Sequence, residues 1–297
     1  MSEIKLFKVK PNVRELDSAE VLLEKELQIL IENNMEQFFG VKVLKSEYAI
    51  TSGRMDSIGI DENFCPVIFE YKRSVNENVI NQGLFYLDWL LDHKADYKLL
   101  VIEKYGMEMA EKIDWSVPCV ICIASDFTRY DIHAINQMQR NIKLVKYKKY
   151  GDDLVLFEHV NTPVANQHLE NASFNTVTSN TQKSHIEKLA SATVKFKTLY
   201  DSVCDYISSL GDDLVPNQLK LYLAYKKVQN VFCIEIYQKQ IVVRVKLNPD
   251  DVTLEEGFTR DMRNIGHYGT GDLEISIKSE EDFYKAKELL KRAYDES

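Results

Sequence analysis

The stretch GRMDSIGIDENFCPVIFEYKR, Gly53 to Arg73, decides how the first half of the chain is read. RMDSIGI (Arg54 to Ile60) and PVIFEYK (Pro66 to Lys72) have the composition of strands, and DEN (Asp61 to Asn63) turns the chain between them. Side chains alternate along a strand, so Ile68, Glu70 and Lys72 share one face and Val67, Phe69 and Tyr71 the other. An antiparallel return through a short turn brings Asp56 beside Glu70. Buried charge is costly unless it is paired or bound to a metal. Three such groups at one end of a sheet point to chemistry.

The surroundings set limits on that chemistry. The chain has 297 residues, long for one core and comfortable for two domains. No apolar run approaches the ~20 residues of a bilayer span. MSEIKLFKVK opens the chain without the apolar segment of a secretory signal, so a cytoplasmic protein with no membrane partner is expected. Five cysteines at irregular spacing argue against a disulfide framework. Cys119 and Cys122 form a C-x-x-C inside VPCVICIAS, a β-branched apolar run. No second Cys/His pair stands at ligand spacing, so both are expected as buried strand residues rather than zinc ligands. The net charge of −9 counts against a protein that coats DNA. It leaves room for an enzyme with a local basic groove, drawn from KLVKYKKY (Lys143 to Tyr150) or from Lys72 and Arg73.

The order of elements follows from periodicity. Residues 18 to 39 read as a helix with Ser18 as cap, an apolar stripe of Leu27, Leu30, Ile31, Met35 and Phe38, and Gly40 as its stop. Glu24 falls near the middle of that stripe. Val41 to Ile50 forms a strand before the pair already described. Residues 76 to 93 read as a second amphipathic helix capped by Asn76, and Tyr97 to Lys104 as a fourth strand. A short helix, the C-x-x-C strand, a helix near YDIHAINQMQRN and two strands to about Val160 complete a first domain, residues 1–160. Residues 161–186 are rich in Asn, Thr and Ser and read as a linker. A second, smaller α+β domain occupies 187–297, with a helix over Glu187 to Gly211, strands within Val231 to Leu247 and a closing helix near Ser279 to Asp295.

D-x13-E-x-K, preceded by a helix carrying an acidic residue and followed by a helix carrying Q-x-x-x-Y, resembles the PD-(D/E)xK nuclease superfamily. The ordered set is Glu24, then Gly53, Arg54 and Asp56, then Glu70 and Lys72, then Gln82 and Tyr86. Within the superfamily the chain looks most like the NucS mismatch or branched-DNA endonucleases and the RecB-type nuclease domains, over residues 18 to 105. Met55 stands where the motif's proline would be, and the amino-terminal DNA-binding domain of the NucS enzymes has no counterpart. The whole chain resembles a family that joins this module to an α+β domain of unknown function.

The resemblance implies an α/β, restriction-endonuclease-like αβββαβ core with a mixed sheet flanked by helices. It implies Mg2+, with Mn2+ as an alternative, held by Asp56, Glu70, the main-chain carbonyl of Tyr71 and Glu24, directly or through a bound water. Lys72 would be the catalytic lysine. Gln82 and Tyr86, an i,i+4 pair, would line the site, and Arg54 and Arg73 would contact phosphate. The substrate implied is DNA, with RNA left open. A homodimer is implied by analogy with superfamily members that cut both strands, and the second domain would recruit substrate or a protein partner.

Plainer readings stand beside these. Glu70 and Lys72 would fit the solvated face of an edge strand. Asp56 would fit a turn, Glu24 a helix start favoured by the dipole, and Gln82 with Tyr86 an ordinary helix and core pair. The acidic charge also fits a catalytically silent nuclease fold kept for binding or regulation. A third reading gives the main function to the second domain, whose NIGHYGTGDLEI (Asn264 to Ile275) reads as a turn or ligand-contacting loop and whose stripe at Val231 to Leu247 reads as sheet core.

Overall fold

The computed structural model describes residues 4–17, 23–72, 79–138, 140–151, 153–160, 183–237 and 239–297. The described chain divides into two compact units, with Glu62–Cys65 and Asp114–Val117 grouping with the second.

The first unit is a mixed α/β fold on a six-stranded sheet. Strands β3 (Val41–Ile50), β4 (Gly53–Asp61) and β5 (Pro66–Lys72) run as an antiparallel meander. Strands β6 (Cys119–Ala124) and β7 (Asn141–Tyr150) continue parallel to β5, and β8 (Leu154–Val160) closes the edge antiparallel. A separate hairpin pairs β1 (Leu6–Lys8) with β2 (Arg14–Leu16). The sheet order β3-β4-β5-β6-β7-β8 puts β5 in the interior, and six of its seven residues are buried. The reading of Glu70 and Lys72 as a solvated edge therefore fails.

Helices α1 (Glu24–Asn33) and α2 (Met35–Phe39) cover one face. Leu27, Ile31, Met35 and Phe39 recur every four residues and pack on Phe69 and Tyr71 of β5 and Ile121 and Ile123 of β6. Gly40 ends this run in the left-handed region, φ 65°, where a side chain would be strained. The first helix is shorter than the sequence pattern implied. It starts at Glu24 and breaks at Asn34, while the proposed Ser18 cap lies outside the described residues.

The connection from β5 to β6 holds three helices: α3 (Val79–Asp92), α4 (Lys94–Tyr105) and α5 (Met107–Glu111). Helix α3 packs on β5 and β6. A Cβ on Gly83 would lie 2.6 Å from Val120 Cγ1, so this glycine sets how closely the helix approaches the sheet. The strand expected over Tyr97 to Lys104 is helix α4. Its buried residues Tyr97 and Val101 are four apart, whereas Leu99 is exposed, which is helical rather than alternating burial. The Asn76 cap expected for the preceding helix lies outside the described residues. Helix α6 (Arg129–Gln137) joins β6 to β7.

The second unit packs two helices on an antiparallel sheet. The sheet order is β13 (Thr259–Asp261), β14 (Leu273–Ile277), β12 (Gln240–Val245), β11 (Asn230–Tyr237), β10 (Leu223–Lys226), β9 (Val215–Gln218). Helices α8 (Val194–Ser209) and α9 (Glu280–Asp295) supply Val203, Ile207, Ala286 and Leu290 to its core. The single helix expected from Glu187 is two. Helix α7 (His185–Ala190) is capped by Ser184, and Thr193 caps α8 by accepting from Phe196 N–H. The expected linker therefore overlaps a helix at its end, and its residues 161–182 lie outside the described ones. Among the described residues no helix is long and apolar enough to cross a membrane.

Candidate functional site

The β4–β5 pairing runs Ile58↔Ile68 and Ser57↔Phe69, so the next step along both strands brings Asp56 to Glu70. Each carboxylate is tied to the other strand's backbone. Asp56 N–H donates to Glu70 Oε1 at 3.4 Å, and Tyr71 N–H donates to Asp56 Oδ2 at 3.0 Å. Glu70 is fully buried, and among the described residues its Oε2 has no hydrogen-bond partner. Burial first, and the Asp56 charge second, push the Glu70 carboxyl up to about 9. Burial also raises the Asp56 carboxyl, against the opposing pull of the Tyr71 N–H and Lys72.

Lys72 ends β5 at the same place. Its Nζ lies 3.4 Å from Glu24 Oε1, and its side chain is 13% exposed against 41% for Glu24. Burial draws the lysine pKa down, but Glu24, Asp56 and Glu70 outweigh it and the net shift is upward. Lys72 is therefore a persistent cation beside two carboxylates. Glu24 is the first residue of α1, so the helix brings it to the end of β5 at the helix's positive pole.

Sequence reading missed Gln28, one turn beyond Glu24. Gln28 is 3% exposed, and its Nε2 lies 2.9 Å from the Asp56 carbonyl, 2.9 Å from Glu32 Oε1 and 3.2 Å from Ser46 Oγ. Ser57 Oγ donates to Glu32 Oε1 at 2.6 Å and stands 3.0 Å from Tyr71 OH. A polar strip along α1 thus fixes the backbone of the residue that carries the Asp56 carboxylate. The spacing Glu24, Gln28, Glu32 was the available signal, since fours place all three on one helical face.

Gln82 and Tyr86 meet on α3. Tyr86 OH accepts from Gln82 Nε2 at 3.2 Å and from Arg54 N–H at 3.2 Å. A Cβ on Gly53 would lie 2.9 Å from Tyr86 OH, so the glycine admits the phenol to the strand start. The pair touches the backbone two residues before Asp56 and steadies the strand. Arg54 turns its guanidinium to Glu47, at 2.7 Å, which also takes Lys25 at 2.7 Å. Arg73 lies outside the described residues. Cys119 and Cys122 are buried on β6, and Glu70 pairs in register with Cys122. Among the described residues no three His, Cys, Asp or Glu side chains group closely enough to hold a metal by themselves. In the basic run of β7, Lys146 is paired with Asp126 at 2.6 Å.

Comparison with known proteins covers both units. A model of the domain of unknown function DUF5655 matches residues 183–297. Two solved structures resemble part of the chain. One is an EndoMS–dsDNA2 complex, 22% identical, covering 48% of this chain and 59% of that one at a TM-score of 0.29. The other is a repair endonuclease from Pyrococcus abyssi, 20% identical, covering 43% and 50% at a TM-score of 0.27. Each likeness reaches less than half of this chain, which spans between half and three fifths of theirs. A Haemophilus influenzae protein described as uncharacterized is 30% identical over 294 residues, 96% of this chain and 97% of its own length. The match spans both units, and the chain belongs to the same family as that Haemophilus influenzae protein.

Proposed function

We propose that the chain is a metal-dependent nuclease that hydrolyses phosphodiester bonds, with DNA as the substrate class. The observation that carries this reading is the Glu70 Oε2 atom, buried with no hydrogen-bond partner among the described residues, beside a second carboxylate and a lysine. An anionic oxygen in that position gains from a cation brought by the substrate or the solvent. The donors fit a hard divalent ion. Asp56 and Glu70 would hold Mg2+ or Mn2+ together with the Tyr71 carbonyl, which shares a strand side with the N–H that reaches Asp56. Two carboxylates suffice because Mg2+ keeps several of its waters. When bound, the ion would neutralise charge on the scissile phosphate and lower the pKa of an attacking water.

The chain's own residues supply the rest. Lys72, held charged by its acidic neighbours, would orient a water or meet the negative charge of the transition state. Glu24 would hold the Lys72 ammonium in place and reach a bound water. Gln28 fixes the Asp56 carbonyl, and Tyr86 with Gln82 fixes the strand start. The second unit would recruit substrate or a partner.

The test is cleavage of labelled single-stranded, duplex and branched DNA, with RNA alongside, in Mg2+, Mn2+ or EDTA. Metal-dependent cutting by the wild type and its loss in Glu70→Ala are expected. A folded wild type that cuts nothing with any ion sinks the reading. The second reading, a silent fold kept for binding, is favoured by one observation: Arg54, a candidate phosphate contact, is engaged by Glu47. Metal binding separates the two, since a silent fold has no need to retain Mg2+ at Asp56 and Glu70.

A further inference from the structure

The second unit has a site of its own. Along β11, β12 and β14, alternate residues such as Ile234, Ile236, Val243 and Ile275 enter the core under α8 and α9. The intervening positions put Glu235, Tyr237, Arg244 and Glu274 on the other face of the sheet. There, with the loop through His267 and Tyr268, they line a pocket of about 320 Å³.

The pocket is built around Arg244, which is 3% exposed. Its Nη1 donates to Glu235 Oε2 at 2.9 Å and to the Tyr268 carbonyl at 3.2 Å, and its Nε and Nη2 reach Glu274 Oε2 at 3.1 and 3.0 Å. One guanidinium therefore fixes two carboxylates and the loop that closes over them. Burying such a group yields little net stability, so its arrangement is better explained by what it positions.

Three kinds of group face the pocket. Tyr237 and Tyr268 are 42% and 44% exposed, and Lys188 Nζ stands 5.6 Å from the Tyr237 ring. Among the described residues Glu274 Oε1 has no hydrogen-bond partner. His267 Nδ1 lies 2.7 Å from the Ile265 carbonyl, which can only accept, so the neutral ring offers Nε2 as an acceptor. Arg260, in register with Glu274, is exposed and has no ion-pair partner among the described residues. Flat exposed rings take a flat ligand. The free acceptors take N–H donors, and the unpaired guanidinium takes an anion, with phosphate as its best geometric match. The volume lies at the small end for ligand sites.

We propose that this pocket binds a single nucleotide, its base against the tyrosines and the acceptors and its phosphate on Arg260. The nucleotide is either free or an unstacked unit of a single strand. The carboxylates in the pocket disfavour a bare anion, so the base is required.

The test is calorimetric titration of the full chain with guanosine and adenosine 5′-monophosphate, ribose 5-phosphate and a short single-stranded oligonucleotide. Saturable binding of a monophosphate or of the oligonucleotide is expected, weakened at least tenfold by Arg260→Ala and by Tyr268→Ala. Both residues are exposed, and a thermal melt verifies that each variant folds. Ribose 5-phosphate should bind at least tenfold more weakly. Monophosphate binding identifies a free nucleotide as the source, and oligonucleotide binding alone identifies an unstacked base; either supports the site. Glu70→Ala should bind as the wild type does, which separates this outcome from that of the nuclease reading. No binding of either probe, or binding unchanged in both pocket variants, overturns the proposal.

Discussion

Glu70 in the first unit and Glu235 in the second are both buried carboxylates on interior strands of six-stranded sheets, yet among the described residues only Glu235 has both of its oxygens met. Glu235 is met by Arg244 at 2.9 Å and by Lys188 at 3.7 Å. Glu70 has a long contact from the Asp56 N–H on one oxygen and no partner among the described residues on the other. A buried ion pair that is complete acts as a strut and holds its neighbours in place. A buried carboxylate that is incomplete keeps its proton or takes a cation from outside. The same residue type thus serves as framework in one sheet and as a candidate ligand in the other.

The comparison breaks most visibly at Arg244. Arg244→Ala leaves Glu235 and Glu274 without their shared cation, and the loss of a buried partner should cost about 3 kcal/mol in denaturant unfolding. An unchanged midpoint would show that the cluster is solvated and not a strut.

Glu70→Gln should move the other way. The folded carboxyl is pushed up to about 9, from an ordinary value of 4.5. Between those values the folded protein holds a proton that the unfolded chain has lost, so the wild type loses stability as pH rises through that window. Glutamine has no such proton to lose. In EDTA at pH 8, Glu70→Gln should be more stable than the wild type by up to about 5 kcal/mol. The gain should vanish near pH 4, and unfolding curves at both pH values check this. A variant less stable than the wild type at pH 8 would mean that Glu70 is ionised and paired in the folded state.

Gln28→Ala removes the side chain that satisfies the Asp56 carbonyl. The loss of a buried hydrogen bond should cost about 1–2 kcal/mol, and metal affinity should fall with the displacement of Asp56. Arg54→Ala should have the smallest effect. Its pair with Glu47 is 61% and 31% exposed, and exposed ion pairs contribute about 0.5 kcal/mol. A larger loss in thermal unfolding would place Arg54 in the framework of the site.

Much of the first unit was legible because its signals are local. Strand alternation and a short turn are enough to bring Asp56 to the same end of the sheet as Glu70, and Gly40 marks the end of the first helical segment. Helix α4 misled because YKLLVI is as apolar as a strand, and only the four-residue interval between Tyr97 and Val101 betrays it. The split between α7 and α8 rests on the Thr193 cap, masked by the helix-forming residues around it. Gln28 and Glu32 are hard to see in the sequence because the apolar stripe beside them carries the stronger periodic signal. In the second unit VFCIEIYQKQIVVRV reads as core, and half of it is. That Arg244 meets both Glu235 and Glu274 depends on the register of three strands joined by distant segments, which no local pattern reveals.

On the proposed function, Asp56 and Glu70 form an incomplete site for a divalent cation. Calorimetric titration of Mn2+ into the full chain, wild type and Glu70→Gln, tests it most directly. Saturable binding by the wild type is expected, with release of a proton because the ion displaces the one held at Glu70, and with loss of that binding in the variant. A folded wild type that binds no ion, or a variant that binds it equally well, would rule out a cation site at Asp56 and Glu70.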